Sequence, residues 1–133
     1  MSDENKITPE QMAEKLKKEK VDLKQQGAIG QFPAIFDSNL HEVFLTTKNG
    51  HAVLNWKYAF LATKSDWIGL YENSSKKDEE NIKTITNTSW QWACRGSSYE
   101  TWEKAKSGMQ ARYLVWDYSS NKYVSVKRSQ TMP

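Results

Sequence analysis

The sequence predicts an all-β fold, an antiparallel β-sandwich of about seven strands preceded by one helix. From Phe32 onward, apolar residues recur with a period of two, which is typical of strands that bury one face. Turn signals separate these short apolar segments at regular intervals. The 133 residues also include six Trp, six Tyr and four Phe, so large aromatic rings must fill much of the core.

The N-terminal segment has the pattern of a helix from residue 8 to about 26. Thr8 suits the N-cap, Pro9 suits the first helical position, and Gln11 stands where a capping box places its reciprocal acceptor. The apolar residues of this segment form a thin stripe among many lysines. We therefore expect the helix to dock lightly or to stand free, and residues 1–26 to be dispensable for folding.

The change from a helical pattern to a period of two divides the chain into two parts. Residues 1–30 form the predicted helix and linker, and residues 31–133 form the predicted sandwich. The predicted strands are 41–46, 52–61, 66–71, 82–88, 89–95, 110–118 and 122–129. Asn49-Gly50 is the strongest short hairpin signal between two of them. The residues that we expect in the core are Trp56, Tyr58, Trp67, Leu70, Leu114 and Val124.

The polar segment 72–81 connects two predicted strands and contains both acidic and basic residues. Its carboxylates lack the spaced Asp/Asn-Gly pattern of a calcium-binding loop. We therefore interpret it as a solvated connection and not as a cation site.

Composition excludes several classes of protein. The net charge of +3, from 19 basic and 16 acidic residues, is too balanced for a dedicated nucleic-acid binder. The polar N-terminus lacks the apolar segment of a signal peptide, and no apolar run approaches the about 20 residues that span a bilayer. The single cysteine, Cys94, excludes an intrachain disulfide and a cysteine-based zinc site. We expect a cytoplasmic protein.

Catalytic groups are sparse in the sequence. His41 and His51 flank a predicted hairpin, but two imidazoles without a third ligand do not hold zinc. Cys94 follows Trp90 and Trp92 in an alternating stretch, which predicts a core thiol and not a nucleophile. We expect no enzymatic activity, no metal and no cofactor.

The aromatic content exceeds what one small sandwich needs, so we expect at least one ring at the surface. Trp102 lies in a polar, loop-like segment without strand alternation, next to several basic residues. An exposed Trp in such surroundings can stack on a sugar, pack against a partner peptide or sit at a lipid headgroup. The opposing interpretation is that Trp102 caps the open end of the sandwich with its indole packed inward. The candidate binding residues are Trp102, Tyr99, Arg95, Lys104 and Lys106.

Two segments carry a resemblance to a known family. They are D-W-I-G-L-Y at 66–71 and G-M-Q-A-R-Y-L at 108–114, accompanied by an aromatic strand at 55–58 and a closing strand at 123–129. Over about residues 40–129 the chain resembles the SKICH domain and related immunoglobulin-like modules. Similar stretches occur in the β-sandwich domain that precedes the catalytic domain in some purple acid phosphatases.

The resemblance implies an immunoglobulin-like β-sandwich without catalytic activity of its own. The SKICH modules target membranes or bind partner proteins. The leading hypothesis is therefore a non-enzymatic cytosolic module that binds a protein partner, which is either another protein or a second copy of this chain. The alternative is a lectin-like or membrane-headgroup-binding domain that uses exposed Trp and basic residues.

Overall fold

The computed structural model describes residues 7–25, 41–57, 64–82 and 89–133, and the structural statements below refer to these residues. They form one α-helix and seven β-strands, with a short 3-10 turn at Ala93–Arg95. The elements are α1 (Pro9–Gln25), β1 (Glu42–Lys48), β2 (His51–Lys57), β3 (Trp67–Tyr71), β4 (Trp90–Trp92), β5 (Ser98–Lys104), β6 (Gln110–Asp117) and β7 (Lys122–Arg128). The prediction of a mostly antiparallel β-fold with an N-terminal helix is confirmed.

The seven strands form two antiparallel sheets. The small sheet has the order β1-β2-β5, and the large sheet has the order β4-β3-β6-β7. One face of each sheet packs against the other sheet, as expected when both inward faces are apolar. This inner core contains Val43, Leu54 and Trp56 from the small sheet, and Ile68, Leu70, Ala111, Tyr113 and Val126 from the large sheet. The two sheets thus make a sandwich-like pair of layers.

The hairpin between β1 and β2 forms as the sequence predicts. Asn49 and Gly50 both have positive φ angles, 54° and 80°, and Lys48 pairs with His51 across the turn. A two-residue loop with two positive φ angles matches the right-handed twist of the flanking strands, and Asn-Gly tolerates it best. The turn therefore fixes which residues of β1 and β2 share a face.

The large sheet has a second apolar face, and α1 packs on it. The buried residues of this outer cluster are Trp67, Tyr71, Trp90, Trp92 and Leu114, with Met12 and Tyr123 packed against them. Leu16 of the helix is only 7% exposed, and Pro9 is also buried. The helix therefore docks on the large sheet through these few side chains, which agrees with the expected light docking, and the dispensability of residues 1–26 for folding stays a prediction.

The start of α1 is the capping box that the sequence predicts. The Thr8 N–H donates to Gln11 Oε1 at 2.8 Å, and the Gln11 N–H donates to Thr8 Oγ1 at 3.2 Å. These two bonds satisfy backbone donors that the first helical turn would leave without partners.

Gly69 makes room for an aromatic ring on the helix-facing side of β3. A Cβ atom at Gly69 would lie 2.5 Å from Cζ3 of Trp67. The Trp67 ring therefore lies across the glycine, and this close approach explains why the D-W-I-G-L-Y segment has a glycine inside a strand.

Most of the predicted core residues are buried. Trp56 and Leu70 lie in the inner core, while Trp67 and Leu114 belong to the outer cluster under the helix. Val124 is half-buried. Tyr58, and all but the first residue of the predicted strand 82–88, lie outside the described residues.

Two predictions for the region after β4 are wrong. Cys94 is exposed and is not a core thiol, because the strand ends at Trp92 and the 3-10 turn breaks the alternation. The segment around Trp102, predicted as a loop, is strand β5. One face of β5 lies at the surface and is polar, so the composition of the segment does not indicate a strand.

Membrane-spanning helices and the domain boundary are the remaining points on the fold. No helix within these residues is long and apolar enough to span a membrane. The domain division at residue 30 stays a prediction, because residues 26–40 lie outside the described ranges.

We predict that Gly69→Ala destabilises the protein by about 1–3 kcal/mol, the usual effect of inserting a methyl group into a filled site. The measurement is urea unfolding followed by far-UV circular dichroism. Gly96→Ala is the wrong control because Gly96 has a positive φ, so Ser97→Ala, at an exposed position, serves instead. An unchanged unfolding midpoint for Gly69→Ala would mean that the Trp67 ring lies elsewhere.

We also predict that Trp67→Ala destabilises the protein by about 3–5 kcal/mol, as deletions of large buried aromatic side chains do. Trp67 is 3% exposed and packs edge to face against Trp90 and Tyr123. Thermal unfolding measures the effect, and an unchanged melting temperature would show that the residue is not part of the core.

Candidate functional site

Trp102 is the most exposed large apolar residue among the described ones. Its side chain is 67% exposed, although it lies within strand β5 of the small sheet. The face of this sheet that points away from the inner core is called the outer face below. Trp102 projects on this face, in agreement with the expected exposure and against the inward-packed alternative.

Strand alternation explains the direction of Trp102, because Glu100, Trp102 and Lys104 are two residues apart and share one face of β5. His51 pairs with Lys104 and Val53 pairs with Glu100, so three residues of β5 face the single residue Ala52 of β2. The two extra residues form an irregularity in the pairing, and because there are two of them the alternation along β5 is unchanged. The pairing of β5 with β2 therefore places Trp102 on the outer face.

Thr101 holds this irregularity in place. This residue is fully buried, and its hydroxyl donates to the Ala52 carbonyl at 2.7 Å. The same oxygen accepts the N–H of Glu103 at 3.2 Å. A buried hydroxyl with both bonds made fixes the local backbone, so the residue next to it has a defined orientation.

Basic side chains surround Trp102 at one end of the outer face. The pairing registers place Lys48, His51 and Lys104 side by side across the three strands. Glu100 lies between them, with its carboxylate 3.9 Å from Lys48 Nζ and 3.5 Å from His51 Nδ1. Lys48 and Lys104 therefore lie at this end of the face with the single carboxylate of Glu100, so these residues together have an excess of positive charge.

The rest of the outer face combines apolar and polar groups. Phe44 is 46% exposed and lies on the same face as Val53, which is buried. Between them, the Asn55 side-chain amide donates to Thr46 Oγ1 at 3.0 Å. The outer face thus offers two exposed aromatic rings, Phe44 and Trp102, on one sheet.

The structure brings some of the predicted binding residues together and separates others. Lys104 lies beside Trp102 on the outer face, and Lys106 is exposed just beyond the end of β5. Tyr99 lies on the opposite face of the strand, where it packs on the inner core. Arg95 precedes β5, so the length of a seven-residue strand, about 20 Å, separates it from Lys104.

Sequence reasoning missed the residues that the β1-β2 hairpin contributes to this face. Phe44, Lys48 and His51 are distant from Trp102 in sequence and reach it only because β2 pairs with β5. The hairpin register could have placed Phe44 and Lys48 on one face, since they are four residues apart in a strand. No sequence signal indicated the pairing with β5.

A second candidate site is a cleft between α1 and the large sheet, called the helix cleft below. Its volume is about 260 Å³. Pro9, Ala13 and Lys17 line it from the helix, where a spacing of four residues places them on one face. The remaining lining residues are Glu10, Trp67, Asp78, Glu79, Asn81, Trp116, Asn121, Lys122 and Tyr123.

Three aromatic rings form the floor of the helix cleft. The Tyr123 ring packs edge to face against Trp116, with centroids 5.1 Å apart, and against Trp67, with centroids 5.8 Å apart. Edge-to-face pairs are a favourable arrangement for rings that carry quadrupoles. The three rings therefore support one another and form a firm wall.

Each of these three rings carries a buried polar atom without a partner. Within the described part of the chain, no group accepts a hydrogen bond from Trp67 Nε1 or Trp116 Nε1, and Tyr123 Oη also has no partner. A buried donor without an acceptor costs about 1–3 kcal/mol. Burial raises the pKa of the Tyr123 phenol well above its usual range, and the negative charge of Asp66 adds to this effect, so the hydroxyl stays protonated.

The loop 72–81 forms one side of the helix cleft and is held by a buried arginine. Arg112 is fully buried, and its Nη1 lies 3.0 Å from Asp78 Oδ1. The second carboxylate oxygen of Asp78 accepts the Ser125 N–H at 2.9 Å. The prediction of a merely solvated connection is therefore incomplete, because Asp78 ties the loop to β6 and β7.

The side chains that commonly bind metals are dispersed in the described part of the chain. No group of three or more His, Cys, Asp or Glu residues in the described ranges is placed to hold a metal ion. His41 contacts the Tyr113 ring, with centroids 4.7 Å apart, whereas His51 lies near Glu100 on the small sheet. The two imidazoles therefore have different neighbours.

The chain matches no known protein family, no curated protein and no solved structure in comparisons with each of these.

We predict that Asp78→Ala destabilises the protein by about 3–5 kcal/mol, the usual cost of leaving a buried charge without its partner. Guanidinium chloride unfolding measures the change. The matched control is Glu79→Ala, since Glu79 is the exposed acidic neighbour in the same loop. Equal unfolding midpoints for the two variants would contradict the role assigned to Asp78.

Proposed function

We propose that this protein is a non-enzymatic binding module that recognises a protein partner with the outer face of its small sheet. The observation that carries the proposal is the exposure of Trp102, 67%, on the outer face of a strand whose neighbouring residue, Thr101, is buried and hydrogen-bonded to β2. Trp is the residue that most often supplies binding energy at the centre of protein interfaces. Ordering a Trp side chain on binding costs little entropy, because it has only two χ angles and its backbone is already fixed in a strand.

The charges near Trp102 favour a partner with an acidic surface. Lys48 and Lys104 flank the ring, and Glu100 is the acidic residue that contacts Lys48 at this end of the face. Complementary charge accelerates encounter and selects the correct orientation of a partner. We therefore propose a partner segment that presents acidic side chains around an apolar or aromatic residue.

The size of the outer face favours a transient complex over a permanent dimer. Three strands of seven residues make a face of roughly 300 Å², at about 3.3 Å per residue and about 4.8 Å between strands. A stable interface buries about 800 Å² on each partner. A short segment of another protein fits this area better than a second copy of the chain.

A membrane surface is the alternative that the same ring and lysines suggest. The face carries Lys48, Lys57 and Lys104 against Glu42 and Glu100, an excess of one positive charge. Recognition of anionic lipids usually needs a cluster of about 4–8 basic residues. The charge balance therefore favours a protein partner. Binding to a membrane is one of the results that the experiment below distinguishes.

We also propose that the two sheets have the immunoglobulin-like topology. In that fold strands A, B and E share one sheet, and strands C, F and G share the other, to which a C′ strand can add. The order β1-β2-β5 agrees with A-B-E, and β4-β3-β6-β7 agrees with C′-C-F-G. This agreement supports the SKICH-like interpretation of the sequence, and SKICH modules target membranes or bind partner proteins. A cytoplasmic location is part of the same proposal.

The test measures retention of the protein on an array of peptides. One set of peptides is rich in Asp and Glu around a single Trp, Phe or Leu, and a matched set has Lys in place of the acidic residues. We predict that the wild-type protein binds the acidic set. Trp102→Ala should weaken this binding at least about tenfold, equivalent to roughly 1.4 kcal/mol, with an unchanged melting temperature.

Ile7→Ala is the matched control, since it removes another exposed large apolar side chain outside the small sheet. Lys104→Glu should weaken binding to the acidic set without lowering stability. Equal retention of both peptide sets, or full retention by Trp102→Ala with a lowered melting temperature, would contradict the proposal. Flotation with phosphatidylserine vesicles, in the absence of peptide binding, would replace it with the membrane alternative.

A further inference from the structure

We propose that Glu100 is a specificity-determining residue of the outer face, because its carboxylate competes with the acidic groups of a partner for the basic side chains beside Trp102. This inference deepens the proposed function and rests on it, since the competition matters only if the face binds acidic groups. Three observations carry it: the position of Glu100, its loose contacts with basic neighbours, and the contrast with Glu42 at the other end of the same face.

The carboxylate of Glu100 lies beside the row of basic residues on the outer face. The pairing registers place Lys48, His51 and Lys104 opposite one another on β1, β2 and β5. Glu100 pairs with Val53, the next residue of β2 after His51 on this face. One of its carboxylate oxygens lies 3.9 Å from Lys48 Nζ, and the other lies 3.5 Å from His51 Nδ1. Glu100 therefore occupies the position at which a partner's carboxylate would meet Lys48.

These contacts are loose enough for a partner to replace them. Both distances exceed the usual length of a hydrogen bond between nitrogen and oxygen, about 2.7–3.2 Å. The side chains are also open to water, since 70% of Lys48 and 35% of Glu100 are exposed. Exposed ion pairs contribute little to folding, because screening and side-chain entropy offset their attraction. Glu100 can therefore yield to an incoming carboxylate without loss of the fold, although the partner must first break its contacts.

The negative charge of Glu100 also selects among acidic partners. A ligand carboxylate that binds Lys48 lies close to Glu100, and like charges at short range repel each other. Every further acidic group at this end of the face adds to the repulsion. Binding sites often obtain specificity from an element that is unfavourable for the wrong ligand. The face therefore favours a segment with few acidic groups beside an apolar anchor over a polyanion.

Glu42 provides a comparison within the same sheet face. Its carboxylate lies 3.8 Å from Lys57 Nζ, close to the distance between Glu100 and Lys48. Glu42 begins β1 and Lys48 ends it, so about 20 Å of extended strand separates them. At physiological ionic strength, exposed charges are largely screened beyond about 8 Å. The two glutamates therefore have the same charge and similar ion pairs, but only Glu100 is near enough to compete at Lys48.

Glu100→Gln and Glu42→Gln test the proposal, because each raises the net charge of the face by one. The probe is hexaglutamate, which carries acidic groups without an aromatic anchor, and NMR follows the backbone amide shifts of Lys48 and His51 during the titration. We expect Glu100→Gln to lower the apparent Kd at least about threefold and Glu42→Gln to leave it unchanged, because screening isolates Glu42 from Lys48. Neither substitution should change the melting temperature.

A Lys48→Met background shows whether Glu100 acts through Lys48. In this background Glu100→Gln should give a smaller gain in affinity for hexaglutamate than in the wild-type protein, because the lysine for which Glu100 competes is absent. The difference between the two gains is the coupling between the residues, which a double-mutant cycle measures. Trp102→Ala should leave the response to hexaglutamate unchanged, since this probe has no group that packs on the indole.

Three results would overturn the inference. They are equal Kd values for Glu100→Gln and Glu42→Gln, an undiminished gain in the Lys48→Met background, and the absence of hexaglutamate binding by all of these proteins. A different result would count against the proposed function alone. In that case hexaglutamate binds as expected, whereas neither the wild-type protein nor Glu100→Gln retains any peptide of the acidic set.

Discussion

A buried guanidinium holds the loop and the large sheet together, and the rest of the helix-facing side depends on it. Arg112 is fully buried, donates from Nε to Gln110 Oε1 at 3.0 Å, and places Nη1 3.0 Å from Asp78. Its Nη2 donates to the carbonyl oxygens of Asn73 and Ser74, and its Cζ lies 3.9 Å above the Tyr71 ring. A charge buried in this way is tolerated because every side of it has a partner.

The position of Asp78 has consequences beyond charge neutralisation. The same carboxylate contacts Arg128 and accepts the Ser125 N–H, both in β7. Together with its contact to Arg112 in β6, Asp78 thus attaches the loop to two strands of the large sheet. The loop that carries it then lies along the edge of the helix cleft, where Glu79 and Asn81 contribute to the wall. A solvent-facing connection, as composition suggested, would have left the outer aromatic cluster with one side open.

The surplus of aromatic residues is explained by a fold with two apolar layers. Trp56 and Tyr113 fill the space between the sheets, while Trp67, Trp90 and Trp92 lie on the other side of the large sheet under α1. Strand β3 is buried on both faces for this reason. The two candidate sites follow from the same architecture: the small sheet leaves its outer face to solvent, and the large sheet leaves a cleft beneath the helix.

Local patterns in the sequence predict the elements that depend only on residues close to one another in the chain. The capping box at Thr8 and Gln11 and the Asn49-Gly50 turn each act through neighbouring atoms, so the sequence predicts them correctly. Alternation also identified most strands and the burial of Trp56, Trp67, Leu70 and Leu114.

The tertiary structure alone decided what depends on residues that are distant in sequence. Strand β5 exists because it pairs with β2, although its own residues have the composition of a polar loop. This pairing places Trp102 at the surface while Tyr99 faces the core. Cys94 is exposed because a 3-10 turn ends the alternation after β4. The helix cleft depends on where α1 docks, and the thin apolar stripe of the helix docks where the large rings of the outer cluster lie opposite it.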